Sequence, residues 1–353
     1  YGVYRQPLEK VKPEWGVFME TEEKKQYTIE DIARELGVSK TTVSRAISGK
    51  GRIGQATRQR VLDFIEEHDY RPNVLAKGLA QRKTYNLALI LPKDYAVTEF
   101  PFFKDCMNGI CEVASAYDYD IIISMAGEDD LSQIRRLEAN RKADGIIVSR
   151  SIVNSELQKY LKKSQIPFVL IGSSKDPEVL SVDNKNREAS RELTSVLLMK
   201  GAQKLALLGG NHTFYVTDSR CQGFLDAYEN TGKQADQNLI FKDCDNQSAV
   251  NEAVSRALEN GAEGIVCMDD VICNMCMISL HEKNIRIPED MKVASLYDSH
   301  SLEYNDPPVT GVKFDTVRLG KLVCAKLLRK LGETPEEDTR PLGYQVILRE
   351  STH

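Results

Sequence analysis

The sequence predicts a small all-α helix-turn-helix head joined to a larger α/β body of two doubly wound parallel-sheet lobes. Three observations carry this. Residues 28–79 break into short amphipathic helices, with a glycine turn between the first two. From Asn86 onward, short apolar runs alternate with amphipathic stretches, as buried parallel strands alternate with covering helices. The alternation runs through too many units for one sheet of ordinary size, so two lobes follow.

Thr28 is placed to cap the first helix, with Asp31 three residues on as its partner in a weak capping box. Ile29, Ile32, Ala33 and Leu36 then fall on one face. Gly37 ends that helix, since a tight turn favours a residue free to take positive φ. Val38 plugs the turn. Ser39 caps the second helix, Lys40–Ser48, which turns Val43, Ala46 and Ile47 inward and sets Thr41 and Arg45 on another face. A third helix, Ala56–His68, is expected to bury Val61, Leu62 and Ile65.

Such a pair of helices places its second member in the major groove of DNA. The same pattern also fits a protein-binding three-helix module. Charge favours nucleic acid. Residues 27–83 hold 11 Lys and Arg against 7 Asp and Glu, whereas the rest of the chain holds 36 against 45. Basic charge gathered on one small module of an acidic protein is the footprint of phosphate binding.

The segments GVSKTTVSRAISG, TRQRV, HDYRPN and VLAKGLA resemble the DNA-binding head of the lactose-repressor/galactose-repressor family of bacterial transcription regulators. The resemblance continues more weakly to near the C-terminus. It implies a body like the periplasmic sugar-binding proteins. It also implies that Lys40 and Thr41 read base edges and that Arg45 reaches a guanine, to whose O6 and N7 arginine can donate two hydrogen bonds. Ser39, Thr42 and Ser44 carry short hydroxyls suited to phosphate oxygens, or simply to capping. Relatives often open the third helix with Ser, where this chain has Gly54.

Domain boundaries follow: 1–26 an N-terminal extension expected to be disordered, 27–71 the head, 72–85 a hinge helix and linker, 86–353 the effector-binding and dimerisation body. Met19 is a sensible initiator, which leaves residues 1–18 as either an extension or an artefact of the reading frame. Pro72 stops the third helix and Asn73 can cap the next. Asn73–Ala80 is too short to be stable alone. By resemblance this hinge orders on DNA as a pair from two subunits, with Ala76 permitting their close approach and Leu79 wedged between base pairs in the minor groove. The plainer alternative is a flexible polar linker.

No apolar run approaches the roughly 18 residues a membrane span requires, and the first 26 lack the apolar core of a secretory signal. The expected compartment is the cytoplasm. Eight cysteines are scattered; Cys273 and Cys276 form a lone CxxC and are expected to be small buried residues rather than metal ligands. There is no G-x-S-x-G, no Walker-A loop and no metal-ligand cluster, and the five histidines are dispersed, so neither a catalytic apparatus nor a cofactor is expected.

In doubly wound sheets, ligands bind beyond the carboxyl ends of the strands. Phe102 and Phe103 follow the first strand and can stack on a sugar face. Ser149 and Arg150 follow ADGIIV, and Asp298 follows ASLY. The resemblance adds Arg220, matching an arginine that grips effector hydroxyls or acid groups, and Asp269, matching an aspartate that accepts two hydroxyls. An Arg and an Asp facing each other across the cleft suit a polyol; an inter-lobe salt bridge without ligand is the alternative. Three departures from the family open the choice to an unusual sugar, a nucleoside or a phosphorylated sugar. Met268 stands where Asn or Ser is usual, Ala202 where His is usual, and Asn246-Gln247 near the place of a stacking aromatic.

The resemblance puts three chain crossings between lobes near Gly172–Asp183, Asp306–Thr310 and Thr334–Leu342. Two heads reading half-sites require a two-fold axis, so a homodimer is expected through the helices at Lys104–Tyr117 and Val271–Lys283. No leucine-heptad extension supports a tetramer. The expected partners are an operator in double-stranded DNA and a sugar-like small molecule, with no membrane. The rival readings are control by a partner protein with the cleft empty, and an enzyme acting on a sugar or nucleoside.

Overall fold

A computed structural model describes residues 27–49, 51–70, 78–79, 81–93, 101–336 and 338–353. The expectations for residues 1–26, for Asn73 and for Ala76 lie outside the described residues. The chain divides into two compact units, the first ending at Gln81 and the second beginning at Arg82.

The head is three helices, α1 (Ile29–Glu35), α2 (Lys40–Ser48) and α3 (Gln55–Glu67). The capping box is complete: Asp31 N donates to Thr28 Oγ1 at 3.2 Å, and Thr28 N donates back to Asp31 Oδ2 at 3.0 Å. Gly37 takes φ +67°, and Val38 N donates to Ala33 O at 2.9 Å to close the turn. Ile32, Ala33, Val43, Ala46 and Val61 form the core. Leu62, expected inside, is 36% exposed. Phe64 packs inward instead, edge-on to Tyr27 at 5.3 Å and stacked on His68 at 4.0 Å. Val61, Phe64 and Ile65 make the inner stripe of α3, and Leu62 falls off it by one position.

In the second unit, β1 (Asn86–Pro92), β2 (Asp120–Ala126), β3 (Gly145–Val148), β4 (Phe168–Ile171) and β5 (Ser181–Val182) form one sheet, ordered β2-β1-β3-β4-β5 and all parallel. The other sheet contains β6 (Leu205–Leu208), β7 (Ile240–Phe241), β8 (Gly264–Cys267), β9 (Lys292–Ser295), β10 (Thr310–Phe314) and β11 (Tyr344–Ile347), ordered β11-β10-β9-β8-β6-β7. Its edge strand β11 pairs antiparallel with β10, the one departure from parallel sheets among the described residues. The two-residue strands β5 and β7 are too short to leave a sequence signal.

The helices that follow the strands are α4 (Pro101–Ser115), α5 (Ser132–Ala139), α6 (Glu156–Lys163), α7 (Asn186–Met199), α8 (Tyr215–Glu229), α9 (Gln247–Glu259) and α10 (Asp270–Glu282). A short α11 (His300–Glu303) and the long α12 (Thr316–Lys330) follow. Helix α12 returns to the first lobe and packs on α4. The approach is close enough that a Cβ on Gly320 would meet Cys106 O at 2.1 Å, and one on Gly109 would meet Val317 O at 1.9 Å.

The first crossing lies just past β5, between Val182 and Asn186, because Ser181 still pairs with Leu170 of β4. The second was expected at Asp306–Thr310 and is found at Asp315, between β10 and α12. The Pro307-Pro308 pair reads as a linker in sequence, yet β10 beyond it pairs with β9 and keeps the chain in the second lobe. The third crossing joins α12 to β11.

Candidate functional site

Two sites are built, one in each unit. In the head, α2 buries Val43 and Ala46 and exposes Lys40, Thr41, Ser44 and Arg45, so the predicted reading face is a real outer surface. Ser39 is the N-cap: its Oγ accepts from Thr42 N at 3.1 Å and lies 2.8 Å from Thr42 Oγ1. Ser39 and Thr42 are therefore engaged in capping, whatever else they touch. Lys40 pairs with Glu30 on α1. Both partners are more than half exposed, so the pair is worth little and is easily exchanged for a phosphate. Arg60 Nη2 donates to Leu36 O at 3.2 Å and ties α3 to the end of α1. Leu79 is 85% exposed.

In the second unit a cavity of about 150 Å³ opens between the lobes. It is lined by Phe102 and Phe103 of α4, by Ser149 and Arg150 beyond β3, and by Arg220 and Asp269 of the second lobe. Six of the seven predicted effector residues thus meet at one place. Asp298 does not. Its carboxylate is held by Arg349 in a bidentate pair, Nη1 to Oδ1 at 2.7 Å and Nη2 to Oδ2 at 2.9 Å. Successive residues beyond a strand point to opposite sides, and here Tyr297 takes the cleft side.

Arg220 and Asp269 were expected to face each other across the lobes. Both instead belong to the second lobe. Arg220 is buried, and its Nε donates to Asn186 Oδ1 at 3.1 Å while Nη1 donates to the Met268 carbonyl. Asp269 is the N-cap of α10, its Oδ1 accepting from Ile272 N at 2.9 Å. That bond explains a carboxylate at this position without a ligand, yet the residue still lines the cavity.

Sequence reasoning missed Asp183, Asn184, Asn186, Asp270, Phe214 and Tyr297, all of which line the cavity. Burial raises the carboxyl of Asp183, that of Asp269, and that of Asp270 to about 6. Ser299 bonds to Asp270 and opposes that rise. Burial also lowers the Arg220 guanidinium from its usual value, while Asp269, Asp183 and Asp270 around it hold it up. Asn246 and Gln247, near the place of the family's stacking aromatic, do not line the cavity: Asn246 caps α9 through Ala249 N, and Gln247 donates to Met275 O. Phe214 and Tyr297 supply aromatic surface instead.

The lobes touch across the cleft. Phe102 meets Tyr297 edge-on at 6.1 Å, and Arg150 lies over the Phe214 ring at 4.4 Å. Val153 N donates to Thr213 O at 2.9 Å and Tyr215 N to Ser151 O at 3.3 Å, in a short antiparallel bridge at Ile152 and Phe214. Beside this bridge a second chamber of about 380 Å³ lies against the ends of β1 and β2 and shares Ser149, Arg150 and Phe214 with the first. No helix among the described residues is long and apolar enough to cross a membrane.

Two family sequence models match the chain. "Bacterial regulatory proteins, lacI family" matches residues 28–73, and "Periplasmic binding proteins and sugar binding domain of LacI family" matches residues 84–336. Catabolite control protein A of Staphylococcus aureus is 27% identical over 331 residues, covering 92% of this chain and 99% of its own. The HTH-type transcriptional regulator RegA of Clostridium saccharobutylicum is 27% identical over 332 residues, with the same coverage. Among solved structures, the transcriptional regulator CelR–cellobiose complex superposes with a TM-score of 0.68 at 25% identity, covering 92% of this chain and all of that one. The lac repressor dimer bound to operator and the anti-inducer ONPF superposes at 0.73 with 20% identity, covering 93% and 99%. At that identity the last likeness concerns the fold.

Proposed function

This chain belongs to the LacI family of bacterial regulatory proteins, and from that premise we propose how its two sites work together. It is a DNA-binding transcriptional regulator with an effector domain of the sugar-binding type. The finer reading is a homodimeric repressor on a palindromic operator, with affinity set by a sugar or sugar derivative between the lobes. It acts by binding rather than by catalysis, in the cytoplasm where bacterial DNA lies.

The observation that carries the DNA half is the split of α2 into an apolar inner face and an exposed polar, basic outer one. Laid in the major groove, that face gives Arg45 two parallel donors for a guanine and sets Lys40 and Thr41 against neighbouring base edges. Ser39, Thr42 and Ser44 fall beside the phosphates and fix register. Leu79, exposed at the end of the head, enters the minor groove. Exposed Ile123 and Met125 on edge strand β2, and Ile278 on α10, support a second copy as the partner of the body.

The effector half rests on Phe102, Phe103, Ser149, Arg150, Arg220 and Asp269 lining one inter-lobe cavity. A ligand there touches both lobes, so it can favour the closed arrangement over an open one, and only such differential affinity can move the DNA equilibrium. The test is a binding-site selection on the full chain, followed by titration of a sugar panel against the selected duplex. Enrichment of a palindrome whose affinity a sugar alters is expected. An enriched palindrome that no small molecule affects, but that a partner protein does, would replace the effector half.

A further inference from the structure

We propose that the inter-lobe cavity selects a hydrogen-donating polyol that is neutral or amine-bearing, and excludes phosphate esters and sugar acids. The proposal rests on the effector reading above and narrows it.

The first ground is the set of polar atoms left without partners. Ser149 Oγ, Asn184 Oδ1 and Asp270 Oδ1 are buried and unpaired, and all three residues line this cavity. Ser149 is 4% exposed and Asp270 is 3% exposed. A buried polar atom without a partner is costly, and a hydrogen-donating ligand would satisfy it. Two of the three, the amide oxygen and the carboxylate oxygen, only accept. The hydroxyl can rotate to suit. What fits them is a ligand rich in O–H or N–H.

The second ground is charge. Asp183, Asp269 and Asp270 line the cavity against Arg220 and Arg150. Arg220 already spends Nε on Asn186 and Nη1 on Met268, inside the field of all three carboxylates. Arg150 lays its guanidinium on Phe214. An entering phosphate or carboxylate would add negative charge beside three buried acids, with two of the Arg220 nitrogens already donating to Asn186 and Met268. In a site of low dielectric that repulsion is large and unscreened by salt. An amine meets the opposite sign.

The experiment is isothermal calorimetry on the full chain with matched sets. Each contains a hexose or its disaccharide, the hexose 6-phosphate, the corresponding uronic or aldonic acid, and the 2-amino sugar. Expected is binding of at least one neutral or amino member, with its phosphorylated and acidic counterparts at least tenfold weaker. Asp270→Asn should narrow that gap by removing a charge while keeping an acceptor. Equal or tighter binding of a phosphorylated or acidic member overturns this inference alone and leaves the effector reading standing. An unchanged gap in Asp270→Asn, with the neutral sugar still bound, removes Asp270 from the selectivity and overturns the charge argument. Silence across every set overturns the effector reading together with this one.

Discussion

Arg150 of the first lobe lies 4.4 Å over the ring of Phe214 of the second, at the edge shared by the two chambers of the cleft. The contact joins the lobes beside the backbone bridge at Ile152 and Phe214. Since it exists only while the lobes are together, its energy belongs to the closed state. Cation–π pairs contribute about 0.5–2 kcal/mol, depending on desolvation. Arg150→Ala should therefore weaken sugar binding by roughly twofold to thirtyfold, the range that energy allows. Calorimetry reads it directly. Unchanged affinity would mean that closure does not use this contact.

Arg45 stands on the exposed face of α2, away from the Val43 and Ala46 core. Arg45→Ala should leave head stability nearly unchanged and erase discrimination at one base pair per half-site, by about 1–3 kcal/mol. A binding-site selection with the variant checks this. Retention of the full consensus would remove Arg45 from base reading.

Asp270 gives a pH dependence with a defined sign. Burial raises its carboxyl from 3.8 to about 6 in the folded chain. The folded state therefore holds this proton more tightly than the unfolded state. The associated stability is fully present below about pH 4 and is lost as pH rises through 6. Asp270→Asn removes the ionisation, so the variant should melt higher than the parent at pH 7.5 by at most about 3 kcal/mol. The difference should vanish near pH 4. Urea titrations at the two pH values measure it; a variant less stable at pH 7.5 would show that the ionised carboxylate is favourably held.

Gly320 lets α12 approach α4 until a Cβ would meet Cys106 O at 2.1 Å. Since the obstacle is backbone, it cannot swing aside. Gly320→Ala should cost about 1–3 kcal/mol through overpacking, despite alanine's better helix propensity. A chemical melt of the body tests it, and a neutral or stabilising effect would show that the helix pair slides freely.

The head was nearly all legible, because caps, glycine turn and apolar spacing are local signals. Thr28, Gly37 and Ser39 act as their types and positions imply. Leu62 was misplaced because a one-position step around a helix turns a side chain by about 100°, at the border of the apolar stripe. In the body, apolar runs revealed the long strands, but the two-residue strands and the true second crossing depend on pairing between distant segments. The cleft was half legible. Residues directly after strands could be listed, but which of two neighbours turns inward could not, and Asp298 was chosen over Tyr297. Asp183 and Asn186 enter only because the chain crosses between lobes there. Their short polar run carries no motif.

The measurement closest to the central claim is a titration of the full chain into two labelled duplexes at about 0.15 M salt, one carrying the selected palindrome and one its scrambled sequence, each with and without a bound sugar. The account predicts at least about a thousandfold preference for the palindrome. It also predicts that the sugar changes that affinity by about fivefold or more. Equal affinity for the two duplexes, indifferent to every sugar that binds the cleft, would contradict it.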